Sequence, residues 1–437
     1  MKKIKILIFY IVLFFVFVVW GLIQPLNLDE VWNYGFAHNI YSGLIPYKDF
    51  NMVLTPFFSF IMSLGFHIFG SNILVLHIEN AIMLVIMTYL LKKLIGKNYI
   101  LVILFLVFPL SITFPSYNIF IFFILVLLIY LEKNNKNDYL IGIVLGLGIL
   151  TKQSVGLCMV LPSLFYIKDF KKIIKRLVGC LIPLSIFLIY LIATKSLFNF
   201  IDLCFLGLFD FAGENHRNFN IFYVIFIIFI VLYLYVIKKN KKSISNYYCL
   251  SFIAMMVPLF DTYHTQVTFL SFLLFIFLNY NIDFKVHLNL LFFGVIIGIS
   301  VILLTMYYKK IVYPNDINHF EYKFMTVDDI EFTKEISEFV SENSDKNIVY
   351  VNSNGYYIKL VNDIPINYLD LINKGNWGYN GSDKLLKQVK SVDNAIFILD
   401  KNELSKLKQT DKEIIKYVIK NGRKIDSIRI YDIYVFD

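Results

Sequence analysis

Apolar residues form long, nearly unbroken runs as far as about residue 308, then give way to short runs set among charges. A helix crossing the hydrocarbon of a bilayer needs about 20 apolar residues. On that scale the pattern predicts eleven spans: 6–22, 73–91, 99–114, 117–131, 139–150, 155–167, 177–194, 219–237, 247–260, 265–281 and 287–307. The fifth and sixth are short, which predicts tilted or broken helices. The basic start before Ile6–Trp20 has the outline of a secretory signal. However, the run is long, no small-residue cleavage site follows it, and further spans come after, so it is read as an uncleaved first helix.

Between the first two spans, Gln24 to Ser71 is too long for a simple connector. Trp32, Phe36 and Ile40 recur four apart within 31–41, and 56–69 is rich in Phe with few charges. Both stretches predict helices lying in the membrane interface with an apolar face in lipid. Past Tyr308 the period changes. The spacing predicts helices over 328–341 and 412–420, and strands over 347–351, 395–399 and 428–436. Strands separated by helices predict a small α/β domain. The expected division is a membrane domain, 1–308, followed by an α/β domain, 309–437. Within the latter, 373–381 is a Gly- and aromatic-rich loop, either a carbohydrate contact or a plain surface loop.

Composition agrees with that division. Hydrophobic residues make up 58% of 437 and the mean hydropathy is +0.66, against the ~45–50% apolar share of soluble domains. The last 129 residues hold 19 Lys/Arg and 20 Asp/Glu, whereas the first 308 hold 22 and 12. A net charge of +9 would suit nucleic acid, but the position of the bases gives it another purpose. With the amino terminus inside, cytoplasmic segments carry 18 Lys/Arg and outer loops only four, Lys48, Lys152, Lys195 and Arg217. That bias orients the chain, puts the carboxy-terminal domain outside and requires no nucleic-acid partner. Cys158, Cys180, Cys204 and Cys249 lack paired or metal-ligand spacing and read as small buried side chains.

Seven of the twelve acids before residue 309 then fall in outer loops: Asp29, Glu30, Asp49, Asp202, Asp210, Glu214 and Asp261. A solvated rim would give the same count. Asp29-Glu30 is the notable pair, two carboxylates where the first span leaves the membrane, and charges there that face a cavity usually serve chemistry or ion handling. Asp29 also suits a helix cap for the stretch that follows. Lys152 interrupts two short spans, where an unpaired ammonium is costly, so it reads either as a cavity cation or as a snorkelling lysine. His77 and Glu79, two apart, cannot share a helix face.

Read in order, Asp29-Glu30, Gly43-x-x-Pro46-Tyr47-x-Asp49-Phe50, Thr55-Pro56, Pro115-Ser116-Tyr117-Asn118, Thr151-Lys152-Gln153-Ser154-x-Gly156 and, weakly, Phe260-Asp261-x-x-His264 lie on one expected face. This series resembles the C-type glycosyltransferases, which include the protein O-mannosyltransferases and the bacterial transferases that modify lipid A or cell-wall polymers. The resemblance implies an α-helical polytopic fold. It also implies transfer of a sugar, with inversion, from a polyprenyl-phosphate carrier to an acceptor hydroxyl on a cell-envelope glycan, lipid or protein at the outer face. Asp29 matches the family's general base, with Glu30 tuning or orienting it. Lys152 is the first candidate for the donor phosphate, with Lys48, Arg217 and His264 as alternatives that also read as loop residues. Tyr47, Asp49, Tyr117, Asn118, Gln153 and Asp261 are the expected substrate contacts. The sequence departs from the pattern at Val257–Phe260, where many members carry a base before the Asp. No metal or other cofactor is expected, although a divalent cation at Asp49 stays open. A transporter or flippase of lipid-linked saccharides is the competing class, but the chain lacks internal repeats and gathers its polar residues on one face.

Overall fold

The computed structural model describes residues 2–96, 114–210, 219–239, 243–280, 303–304, 306–313, 316–351, 355–364, 376–379, 381–400 and 409–436. Helices α1 (Lys2–Ile23), α2 (Leu28–Tyr41), α3 (Phe57–Phe69), α4 (Ile73–Ile95), α5 (Tyr117–Lys133), α6 (Asp138–Thr151), α7 (Gln153–Phe165) and α8 (Phe170–Ala193) come first. They are followed by α9 (Leu197–Ile201), α10 (Ile221–Lys239), α11 (Ile244–Ser251) and α12 (Thr262–Asn279). Four described helices are long and apolar enough to cross a membrane: Ile6–Ile23, Ile73–Ile95, Phe170–Ala193 and Ile221–Lys239. The expected spans 99–114 and 287–307 lie largely outside the described residues, so the number eleven is not fixed. The span expected over 247–260 is not one helix, because α11 gives way to a 3-10 turn at Phe252–Met255.

Exposed side chains show what surrounds the bundle. Leu7, Ile11 and Phe15 on α1, Ile186 and Ile189 on α8, and Ile227 and Val231 on α10 all face outward. Apolar surface on that scale belongs in lipid, and the protein is a membrane protein. Inside, the helices approach closely. A Cβ added at Gly142 would meet the Arg176 carbonyl oxygen at 2.1 Å, and one at Gly146 would meet that of Cys180 at 2.5 Å. Small residues four apart on α6 thus bring its backbone against α8. At one end of this bundle Arg176 joins Glu132 and Asp138, with Tyr248 also donating to Glu132.

The two loop helices behave differently from each other. On α3, Leu64, Ile68 and Phe69 are exposed as the interfacial reading expects. The stripe on α2 faces protein instead. Phe36 is buried among Phe50, Met52, Phe187 and Leu191, with Trp32 and Ile40 packed against them. The reason lies farther along the chain, because the carboxy-terminal region lands on α2. Asn39 donates to the Tyr356 hydroxyl at 3.0 Å, and that ring lies against Gly35.

The carboxy-terminal region opens with the short antiparallel pair β1 (Ile311–Val312) and β2 (Met325–Thr326). It continues with α13 (Val327–Glu342), β3 (Asn347–Val351), α14 (Gly355–Val361), α15 (Gly381–Lys390), β4 (Ala395–Asp400), α16 (Gln409–Asn421), β5 (Arg423–Ile428) and β6 (Tyr431–Val435). The main sheet runs β3-β4-β6-β5, with β3 and β4 parallel and the remaining pairs antiparallel. Strands β3 and β4 read as short apolar runs because both their faces are covered. Val349, Val351, Phe397 and Leu399 pack under α15 and α16, while Ile348, Tyr350, Ile396 and Ile398 pack under α13 and α14. The strand expected over 428–436 is the return limb of a hairpin whose first limb, β5, carries too many charges to read as a strand.

Candidate active site

Four helix ends meet on one side of the bundle, and each brings residues from the ordered motifs. The first is the start of α2. Asn27 caps it, its side-chain oxygen accepting from the Asp29 N–H at 2.8 Å, and Glu30 closes a capping box. The cap is therefore Asn27 rather than Asp29, which leaves the Asp29 carboxylate without that duty. Asn33, one turn on, donates to the Asp29 carbonyl at 2.6 Å and steadies this turn.

The second end is the start of α5, where Ser116 is the cap and Tyr117 and Asn118 follow. The third is the break between α6 and α7. Lys152 is extended there (φ −150°, ψ 106°), closing one helix and opening the next. Its Nζ donates to Asn118 Oδ1 at 2.7 Å and lies 5.2 Å from the Tyr117 ring centroid. The broken helix expected from the short spans is present, and the lysine is buried rather than snorkelling. The fourth is the start of α12. Asp261 caps it, accepting from the His264 N–H at 2.7 Å and pairing with His264 Nδ1 at 2.9 Å. Tyr263 reaches Ser116 at 2.6 Å, tying this end to α5.

Electrostatics couple these ends. Burial pushes the Asp29 carboxyl up to about 6; Asp261 pushes the same way and Lys152 opposes it. Burial also pushes Asp261 up, but bonding to His264 and the charge of Lys152 hold it below the usual carboxylate range. Burial pushes Lys152 down to about 7, with Asp261 and Asp29 opposing. The site thus holds one ionised acid and two groups, Asp29 and Lys152, that titrate near neutrality.

Glu30 turns away from this pocket. It is fully buried, 2.5 Å from His77 Nε2, and its two oxygens accept from Lys323 Nζ at 2.9 and 3.0 Å. Burial raises its pKa, yet Lys323 and His77 together hold it below the ordinary value. Repulsion on Asp29 therefore comes from Asp261 across the pocket, and Glu30 bears on Asp29 by anchoring its helix.

Of the other expected site residues, three build the loop beneath the pocket. The Tyr47 hydroxyl donates to the Leu54 carbonyl at 2.9 Å. Asp49 accepts from the Ile45 N–H at 2.7 Å, and Gln153 donates to the Val53 and Cys204 carbonyls, each at 3.0 Å. Lys48 is exposed on that turn. Arg217 lies outside the described residues. The loop 376–379 lies against Asp202, which accepts from the Tyr379 N–H at 3.0 Å and from Lys384 at 2.8 Å.

Sequence reasoning missed Asn33, Tyr263, His77 and Lys323. Asn33 stands four residues from Asp29, a spacing that signals a shared helix face. His77 and Lys323 meet Glu30 only through the tertiary fold.

The same fold occurs in solved structures. Two solved structures share it over nearly their full length: ArnT from Cupriavidus metallidurans in the apo state, and the same protein bound to undecaprenyl phosphate. Each aligns with a TM-score of 0.58 at 10% identity; the apo form spans 99% of this chain and the complex 98%, each match covering 98% of ArnT. No family model and no curated protein matches the sequence.

Proposed function

We propose that this protein transfers a sugar from a polyprenyl-phosphate donor to an acceptor hydroxyl at the outer membrane face, with inversion and with Asp29 as general base. The observation that carries this reading is the Asp29 carboxylate, released from capping, half-buried within electrostatic reach of Lys152 and raised toward neutrality. A base works best with a pKa near the operating pH, where it is both ionised and basic enough to take a proton. In the reaction the acceptor oxygen bonds to the anomeric carbon as the bond from that carbon to the phosphate oxygen breaks. The hydroxyl proton passes to Asp29, and the electron pair leaves with the lipid phosphate. Lys152 stands where an ammonium would stabilise that growing charge, and one of its protons is already directed to Asn118. The undecaprenyl phosphate in the ArnT complex supports a donor of this lipid class.

The test uses purified protein in lipid nanodiscs with a polyprenyl-phosphate sugar. Asp29→Asn is expected to lower the transfer rate by about 10²- to 10⁴-fold, the usual worth of a general base, while donor affinity holds. Transfer at the wild-type rate would reject the assignment.

A further inference from the structure

About two turns along α2 from Glu30, the side chains of His38, His319 and Asp363 converge, their ligand atoms all within 4.8 Å of one another. They come from α2, from the segment before β2 and from the turn after α14. His319 Nδ1 lies 3.0 Å from the Ser71 carbonyl oxygen, which only accepts, so the ring donates there. Its Nε2 faces Asp363 Oδ1 at 2.7 Å, a separation that either a shared proton or a bound cation bridges. His38 is fixed in the same way, with Nδ1 bonded to the Ser71 hydroxyl at 2.8 Å, and Tyr34 holds that hydroxyl from its other side, also at 2.8 Å. Asn318 donates to the other Asp363 oxygen and sets the carboxylate's orientation. His319 (φ 64°) and Asp363 (φ 52°) both adopt the left-handed backbone region, which non-glycine residues seldom occupy.

Imidazoles whose second nitrogen is tied to an oxygen, beside an oriented carboxylate, are how proteins prepare ligands for a metal. We propose that His38, His319 and Asp363 form a divalent transition-metal site of zinc type. Two nitrogens and one carboxylate oxygen suit Zn²⁺ better than Mg²⁺ or Ca²⁺, which prefer oxygen alone. The ion would bond to all three side chains and clamp the helix bearing Asp29 to the carboxy-terminal region. The proposal does not depend on the transferase reading, because metal binding is measured without donor or acceptor.

The experiment strips the full-length protein with chelator in detergent and titrates it with Zn²⁺ alone against a competing chromophoric chelator. Wild type is expected to take up one equivalent tightly. His38→Ala and His319→Gln should lose that equivalent, and Asp363→Asn should weaken it. Ser71→Ala keeps all three ligands but removes the hydroxyl that orients His38, and should weaken binding about 10- to 100-fold. Substitution of the exposed His67 should change nothing. Zinc taken up equally by wild type and the His38 and His319 variants, or not taken up tightly at all, would overturn the proposal and leave His319–Asp363 as a plain ion pair.

Discussion

Lys323→Met removes the ammonium that the carboxy-terminal region inserts beneath the helix bearing Asp29. Its Nζ makes three contacts, 2.9 and 3.0 Å to the Glu30 oxygens and 2.7 Å to the Gly21 carbonyl, and the Lys323 and Glu30 side chains are both fully buried. Methionine fills a similar volume but leaves Glu30 with His77 and the Asn27 N–H as partners. Removing one member of a buried ion pair costs about 3–5 kcal/mol, because the other charge stays desolvated. The fall should be read by equilibrium unfolding in mixed micelles. Glu30→Gln on the Lys323→Met background removes the stranded charge and should recover part of the loss, giving a coupling of about 0.5–3 kcal/mol. Because the fold holds the pKa of Glu30 below its ordinary value, the pair's contribution is present above the usual Glu range and fades as pH falls through the depressed value. A Lys323→Met cost within about 0.5 kcal/mol, as for a surface site, or a double variant that simply sums the singles, would refute the reasoning.

Three further outcomes follow from the geometry. Lys152→Ala should weaken binding of a polyprenyl phosphate by about tenfold or more, the worth of one charged hydrogen bond; unchanged affinity in a lipid-binding titration would make Lys152 structural. Gly142→Leu places side-chain atoms where a Cβ alone would meet the Arg176 carbonyl at 2.1 Å, and should cost about 1–3 kcal/mol by overpacking α6 against α8, read by the same unfolding assay. Asp202→Ala removes the acceptor for the Tyr379 N–H and Lys384, so hydrogen exchange at 376–379 should quicken while exchange in β4 stays slow.

What the sequence disclosed, and what it withheld, follows from the range of the forces involved. Long apolar runs and the break between α6 and α7 are local, so the helices and the Lys152 break were legible. The parallel strands β3 and β4 were legible for the same reason, being buried on both faces. Asp29, Asn118, Lys152, Asp261 and His264 were legible as an ordered series of motifs, and the fold gathers them at four helix ends. The Glu30–His77–Lys323 cluster was not legible, because its members lie up to 293 positions apart and each reads alone as an ordinary polar residue. The α2 stripe misled for a related reason. An apolar face does not state whether lipid or another part of the chain covers it, and here the cover arrives with Tyr356. Tyr47, Asp49 and Gln153 read as substrate contacts, yet their polar atoms bond to loop backbone.

The account rests on one carboxylate taking a proton in a pocket that raises its pKa. The most direct test is the pH dependence of the transfer rate, measured from pH 4.5 to 8 at saturating acceptor. The Asp29 carboxyl, raised to about 6, must be ionised to act, so the rate should rise through an apparent pKa near that value and fall below it. That limb should disappear in the residual activity of Asp29→Asn. A wild-type profile that is flat between pH 5 and 8, or a limb that persists unchanged in the variant, would contradict the assignment.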